Sequence, residues 1–232
     1  MTIKVRFINE SKWLPKDYRR MFLHIIKEVL SQEDEVLFQQ YYDKNHVNKK
    51  PFTFWASLPK ATFAKEDITL EEDQLTLYLS TIETKLAFVL YNGFKKSKQY
   101  SIGKNAILEL DSVSVMKERP VQEDTILVNM LSPLVVRNHE KGRKDQYYIA
   151  NEDGFFKQIK INVKNQLESH EEAPNIEVIK YKKVIVSSYG TNIPASLGIL
   201  KLTGNIAVLE KLRVIGIGSK TAAGFGKFKV IG

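Results

Sequence analysis

Four histidines, His24, His46, His139 and His170, are the side chains of this chain whose ordinary pKa lies near neutrality. They are therefore its first candidates for moving protons at pH 7. His46 stands in a polar stretch, Tyr41-Tyr42-Asp43-Lys44-Asn45-His46-Val47-Asn48-Lys49-Lys50, with two lysines three and four residues on. A histidine can take a proton from a hydroxyl or return one to a leaving oxygen, and a fixed ammonium group can balance the charge that develops. His24 falls near the border of the apolar stripe of a helix. His139 lies in a basic run, Arg137-Asn138-His139-Glu140-Lys141-Gly142-Arg143-Lys144, and His170 beside Glu171 and Glu172 reads as a surface residue.

The other chemistry-bearing segment is the last seventeen residues, from Gly216 to Gly232. Gly216-Ile217-Gly218 and Gly224-Phe225-Gly226 flank Ser219, Lys220 and Thr221, and Lys227 and Lys229 follow. Glycine opens backbone conformations closed to other residues and lets a chain approach a ligand closely. Successive outward N–H groups in such a loop form an anion site, and with lysines alongside the natural anion is a phosphodiester backbone. Neither common nucleotide loop fits, because both require a following helix and only six strand-like residues come after Gly226.

Several chemistries are excluded or unsupported. With no cysteine there is no disulfide framework, thiolate metal site or cysteine nucleophile. No H-x-x-x-H pair or carboxylate constellation points to a metal, no G-x-S-x-G elbow is present, and no cofactor is expected. The N-terminus alternates like a strand and no apolar run reaches membrane-span length, so a soluble cytoplasmic protein is expected. The net charge is +8, with +2 in residues 1–116 (17 basic, 15 acidic) and +6 in residues 117–232 (18 basic, 12 acidic). The basic surplus thus sits in the half that carries the glycine-rich loop, and it favours a polyanionic partner.

The elements that must position these groups read twice in the same order. In the first half, residues 3–8 form a strand and a helix opens at Pro15 and runs to about residue 31, burying Tyr18, Met21, Phe22, Ile25 and Val29. Strands follow at 52–56 and 75–79, a short helix at 82–93 and a strand from Ile107. After a boundary near residue 118 come a strand at 125–129, a helix at 152–168, strands near 177–187 and 196–203, a helix at 205–214 and the final strand. Each half is β-α-β-β-α-β, so the expected class is α+β with tandem ferredoxin-like domains at 1–117 and 118–232. Residues 40–51, rich in tyrosine, asparagine and lysine, residues 94–105, basic and aromatic, and residues 137–146, a basic hairpin tip, read as loops. Such loops suit RNA, the cations following phosphates and the rings stacking on bases.

The spacing G-φ-G-x-x-x-x-x-G-F-G just before a C-terminal strand resembles the glycine-rich signature of the RAMP superfamily of CRISPR-associated RNA-binding proteins. It is closest to the branch that cuts CRISPR precursor transcripts within their repeats. Leu131-Ser132-Pro133-Leu134-Val135-Val136 resembles a second, weaker family segment and reads as structural. The resemblance implies a metal-independent endoribonuclease acting by 2′-hydroxyl attack, leaving 2′,3′-cyclic phosphate and 5′-hydroxyl ends. It makes His46 the general base or acid and Lys49 or Lys50 the charge stabiliser, with His24 a second proton-transfer group. It assigns RNA contacts to Gly216, Gly218, Ser219, Lys220, Gly224, Phe225, Gly226 and Lys227 of the loop, and to Arg137, Arg143 and Lys144 of the basic hairpin. The partner would be CRISPR repeat RNA, with a homodimer or an effector complex left open. The alternative is a non-catalytic RAMP subunit that binds guide RNA in such a complex.

Overall fold

The computed structural model describes residues 1–43 and 48–232; His46 lies outside them. The described chain divides into two compact units. The first contains Met1–Glu118 with Ser187–Gly190, and the second contains Arg119–Val186 with Thr191–Gly232. No described helix is long and apolar enough to cross a membrane.

The first unit runs β1 (Thr2–Ile8), β2 (Trp13–Pro15), α1 (Tyr18–Glu33), α2 (Glu35–Tyr42), β3 (Phe52–Ser57), β4 (Ala61–Phe63), β5 (Asp67–Leu70), β6 (Gln74–Thr81), α3 (Thr84–Lys96), β7 (Gln99–Gly103) and β8 (Ala106–Met116). Its main sheet has the order β3-β6-β1-β8-β7, and β2-β5-β4 form a small second sheet. Alternation along β1 sends Ile3, Val5 and Phe7 inward, all fully buried. The ring of Phe7 meets Phe22 of α1 at 6.3 Å, Phe94 of α3 at 6.5 Å and Tyr100 of β7 at 5.8 Å, so one strand residue ties both helices to the sheet. Gly93 on α3 makes the helix contact possible, since a Cβ there would lie 2.6 Å from Val29 Cγ1 of α1.

In this unit one loop expectation fails, and α2 takes residues 40–42 from the start of the stretch 40–51 expected as another loop. Residues 35–42 are helical because Asp34 does double duty. Its backbone N–H closes α1 on the Leu30 carbonyl, and its carboxylate accepts from the Leu37 N–H at 2.9 Å to open α2. The stretch 94–105 is not an open basic loop. α3 extends to Lys96, and Tyr100 is buried on β7 as part of the core.

The second unit runs β9 (Thr125–Met130), β10 (Val136–Asn138), β11 (Gln146–Tyr148), α4 (Phe155–Lys164), β12 (Asn175–Ser188), β13 (Thr191–Thr203), α5 (Ile206–Ile215), a single 3₁₀ turn (Thr221–Ala223) and β14 (Phe228–Val230). Four strands pair in the order β12-β13-β9-β14, and β10-β11 form a separate hairpin. Val128 and Leu202 of the sheet pack with Phe155, Ile159 and Val163 of α4 and with Leu209 and Leu212 of α5. α4 is shorter than its apolar period suggests because Gly154, at φ +87°, starts it and Asn165 ends it. Asn205 caps α5, its side-chain oxygen accepting from the Ala207 N–H at 2.9 Å.

Candidate nucleic-acid interface

In the second unit, α4 turns a stripe of amides, not only apolar groups, toward its neighbours. Gln158 and Asn162, four residues apart, share one face of α4, and Gln166 follows in the turn just past its end. Asn162 accepts from the Arg137 N–H at 2.9 Å and donates to the Arg137 carbonyl at 2.8 Å, where Gln158 also donates at 2.9 Å. One turn on, Gln166 donates to the Gly216 carbonyl at 3.2 Å and accepts from the Gly218 N–H at 3.1 Å. The helix and the turn that follows it thereby fix the basic hairpin and the glycine-rich loop to one another. Between them lies a polar cleft of about 360 Å³ whose lining includes Arg137, His139, Asn165, Gly218, Ser219 and Lys220.

The glycines serve this arrangement through close approach. A Cβ on Gly226, at φ +70°, would fall 1.9 Å from the Ile217 carbonyl oxygen; one on Gly218, at φ +95°, would fall 2.7 Å from the Val135 oxygen. The loop lies directly on the segment 131–136: the Ser219 N–H donates to Val135 O at 2.7 Å and the Gly226 N–H to Pro133 O at 2.9 Å. The N–H groups of Gly216, Ile217, Gly218, Ser219, Gly224 and Gly226 are all engaged by protein acceptors. At those positions the expected cradle of outward amides is absent, and the partly exposed part of the loop is the tip from Ser219 to Ala223.

Two expected contact residues are corrected outright. Phe225 is 1% exposed and packs with Val135, Val186, Ile193 and Ala195. Lys227 is 2% exposed, and its Nζ donates to the Arg213 carbonyl at 2.7 Å in the last turn of α5. A cation at that carbonyl also meets the negative end of the helix dipole. Lys227 holds the fold; it does not reach solvent. Gly216, Gly218, Gly224 and Gly226 are buried as well, whereas Ser219 and Lys220 are partly exposed.

On the hairpin, Asp145 gathers the cations. Arg137 donates to it at 2.9 Å, His139 Nδ1 lies at 2.7 Å and the Tyr147 hydroxyl donates at 3.2 Å. Burial alone would raise this carboxyl, but the hydrogen bonds from His139, Arg137 and Tyr147, with the charge of Arg137, hold it down at about 2. A carboxyl depressed below its unfolded value stabilises the fold above that value and loses the effect as pH falls through the folded one. Asp145→Asn should therefore cost about 1–2 kcal/mol at pH 7. The gap from wild type should narrow below pH 4 and close near pH 2, as read from urea midpoints across pH. Arg143 pairs with Glu140 at 2.7 Å, and Lys144 is exposed.

In the first unit, Arg20, His24 and Lys27 lie within one sector of α1, at spacings of four and three residues. His24 is exposed, whereas Tyr18 on the same helix is buried in the core. The Arg20 guanidinium stands 5.2 Å from the Tyr189 ring, and Lys27 Nζ 4.3 Å from the Tyr42 ring. Lys50 Nζ approaches the same Tyr42 ring at 4.8 Å, while Lys49 is exposed.

Residues 116–230 match the family model for the C-terminal part of CRISPR associated protein Cas6. The second half of the chain thus carries a Cas6-type C-terminal domain. The chain is 22% identical over 244 residues to the CRISPR-associated endoribonuclease-like protein Cas6nc of Pyrococcus horikoshii, covering 99% of this chain and 98% of that one. Two solved structures share its fold. A Cas6-related protein from Pyrococcus furiosus superposes with a TM-score of 0.86 at 19% identity, covering 100% of this chain and 98% of that one. A RAMP protein binding different RNA substrates gives 0.85 at 20% identity, over all of both chains.

Sequence reasoning missed the amides of α4 and its following turn, and the Arg20/Lys27 pair flanking His24. The first had a signal in the four-residue recurrence of Gln158, Asn162 and Gln166, which reads as a solvent face until its acceptors are known. The second follows from spacing alone once α1 is placed.

Proposed function

We propose that this protein is an endoribonuclease that cuts CRISPR precursor RNA within its repeats, without a metal ion, by attack of the 2′-hydroxyl on the adjacent phosphorus. The observation that carries the reading is the cleft in which α4 and the turn after it join the basic hairpin to the glycine-rich loop, in a chain whose second half carries a Cas6-type C-terminal domain. A concave, cation-edged surface lined by amides suits an RNA strand, because cations follow phosphates while amides pair with base edges. We further read each unit as one ferredoxin-like domain. The second holds RNA through Ser219, Lys220, Arg137, Arg143 and Lys144, and the first supplies proton transfer through His46 and His24 with Lys49 or Lys50. Gly216, Gly218, Gly224 and Gly226 contribute through loop geometry.

In this scheme His46 removes the 2′-hydroxyl proton or protonates the 5′-oxygen, and His24 is the candidate for the complementary transfer. A lysine ammonium balances the extra charge on the pentacoordinate phosphorus. Alignment of the 2′-oxygen with the leaving 5′-oxygen supplies much of the remaining acceleration, and that is the task of the RNA-holding surface.

The test is a transcript containing three cognate repeats. The proposal expects a ladder of products differing by one repeat plus one spacer, and no cutting of a transcript with scrambled repeats. Tight, repeat-specific binding with no cutting would support the other reading, a RAMP subunit that holds guide RNA.

A further inference from the structure

We propose that Lys27 and Lys50, gathered on the ring of Tyr42, form a seat for one phosphodiester group of a bound RNA strand. The inference deepens the proposed function and rests on it for the identity of the strand. The two lysines come from separate elements, one from the middle of α1 and one from the residues just before β3, yet both ammonium groups lie within 5 Å of one ring centre. Both side chains and the ring are half-buried, so the cluster is held by the fold.

Its chemistry is unbalanced. Among the described residues neither ammonium has a carboxylate within ion-pair distance, although most buried or half-buried charges are paired. Lys50 is pushed below its ordinary pKa, first by burial and then by the charge of Lys27. The Tyr42 hydroxyl is buried and has no hydrogen-bond partner among the described residues. Burial, then the neighbouring Tyr189, keeps the phenol above its ordinary pKa, so at neutral pH it remains a donor. Among the described residues, two cations share the ring of one phenol donor and no carboxylate pairs with either.

A phosphodiester supplies what is missing. Its two non-bridging oxygens can accept from two ammonium groups at once, and its single charge relieves their mutual repulsion. His24 is three residues before Lys27 on the same helix face, so a phosphate held here lies beside a group able to move a proton. Lys27 thereby becomes a positioning residue for the RNA strand.

The experiment uses the full chain and a repeat RNA made uncuttable by a 2′-deoxy residue at the cleavage position, with Kd measured from 50 to 500 mM salt. Lys27→Gln and Lys50→Gln should each weaken binding about 3- to 10-fold at 0.15 M salt. Each should also lower the slope of log Kd against log salt by about 0.7, the counterion release of one single-strand phosphate contact. Lys27→Arg should restore the slope, and Lys65→Gln, an exposed lysine elsewhere on the same unit, should change neither quantity. Wild-type Kd and slope in both glutamine variants would overturn the seat. Binding by wild type without cutting of the all-ribose repeat would remove the nuclease reading and leave the slopes to decide the seat. Absence of repeat binding by wild type would remove both.

Discussion

His46→Ala should slow cutting of a cognate repeat by about 10²- to 10⁴-fold, the range lost when a positioned acid or base is removed. Its effect on the Kd for the uncut repeat should stay within about threefold, because RNA holding is assigned to surfaces built from other residues. Single-turnover rates with enzyme in excess separate the two quantities. His24→Ala is the informative companion. A His24 that moves the second proton should cost a comparable factor, and the double variant should then lose less than the product of the two, since groups acting in one step are not additive. A His24 that only faces solvent beside Arg20 and Lys27 should cost less than about threefold. A His46→Ala enzyme that cuts at the wild-type rate would transfer the chemistry elsewhere in the chain.

The second large effect concerns Gly226. A methyl group there would sit 1.9 Å from the Ile217 carbonyl oxygen at a backbone φ of +70°. Relief requires moving the backbone that exchanges the Ile217 N–H bond to Gly226 O (2.9 Å) and the Gly226 N–H bond to Pro133 O (2.9 Å). Left-handed strain adds about 1–2 kcal/mol and forced repacking about 1–3, so Gly226→Ala should destabilise the second unit by about 2–5 kcal/mol. RNA binding should fall with it, since the same movement displaces the tip from Ser219 to Ala223. Gly142→Ala is the control. Gly142 also has positive φ, +82°, but nothing lies within 4 Å of its added Cβ, so only the strain of about 1–2 kcal/mol should appear. Equal losses in the two variants, measured by urea unfolding, would mean that close approach to Ile217 is not what the glycine provides.

How far the sequence revealed this molecule depends on the kind of interaction involved. Strands such as β1, with Ile3, Val5 and Phe7 alternating inward, announce themselves because burial follows a period of two. α1 is equally plain from its apolar stripe. α2 was not foreseen because its start depends on one carboxylate: Asp34 both ends one helix and begins the next. β7 was hidden by its lysine neighbours, although Tyr100 is core. The glycine-rich segment was visible as a motif, but its local chemistry was not. Glycine spacing cannot tell amides that face an anion from amides spent on Val135 and Pro133. Lys227 is the sharpest case. A lysine beside a presumed RNA loop reads as a phosphate contact, and only the position of the Arg213 carbonyl shows that it closes the end of α5. At the cleft, Arg137 and His139 were legible as basic residues, but their shared partner Asp145 was not, because the pairing follows from the hairpin register.

The account turns on one reaction, and end-group chemistry tests it most directly. Purified protein would be incubated with cognate repeat RNA in excess EDTA, beside the same RNA carrying a single 2′-deoxy residue at the cleavage position. The prediction is a single cut in the all-ribose RNA, a 5′-hydroxyl on the downstream fragment, a 2′,3′-cyclic phosphate on the upstream one, and an intact deoxy substrate. Cutting that EDTA abolishes, or that proceeds through the 2′-deoxy position, would contradict it.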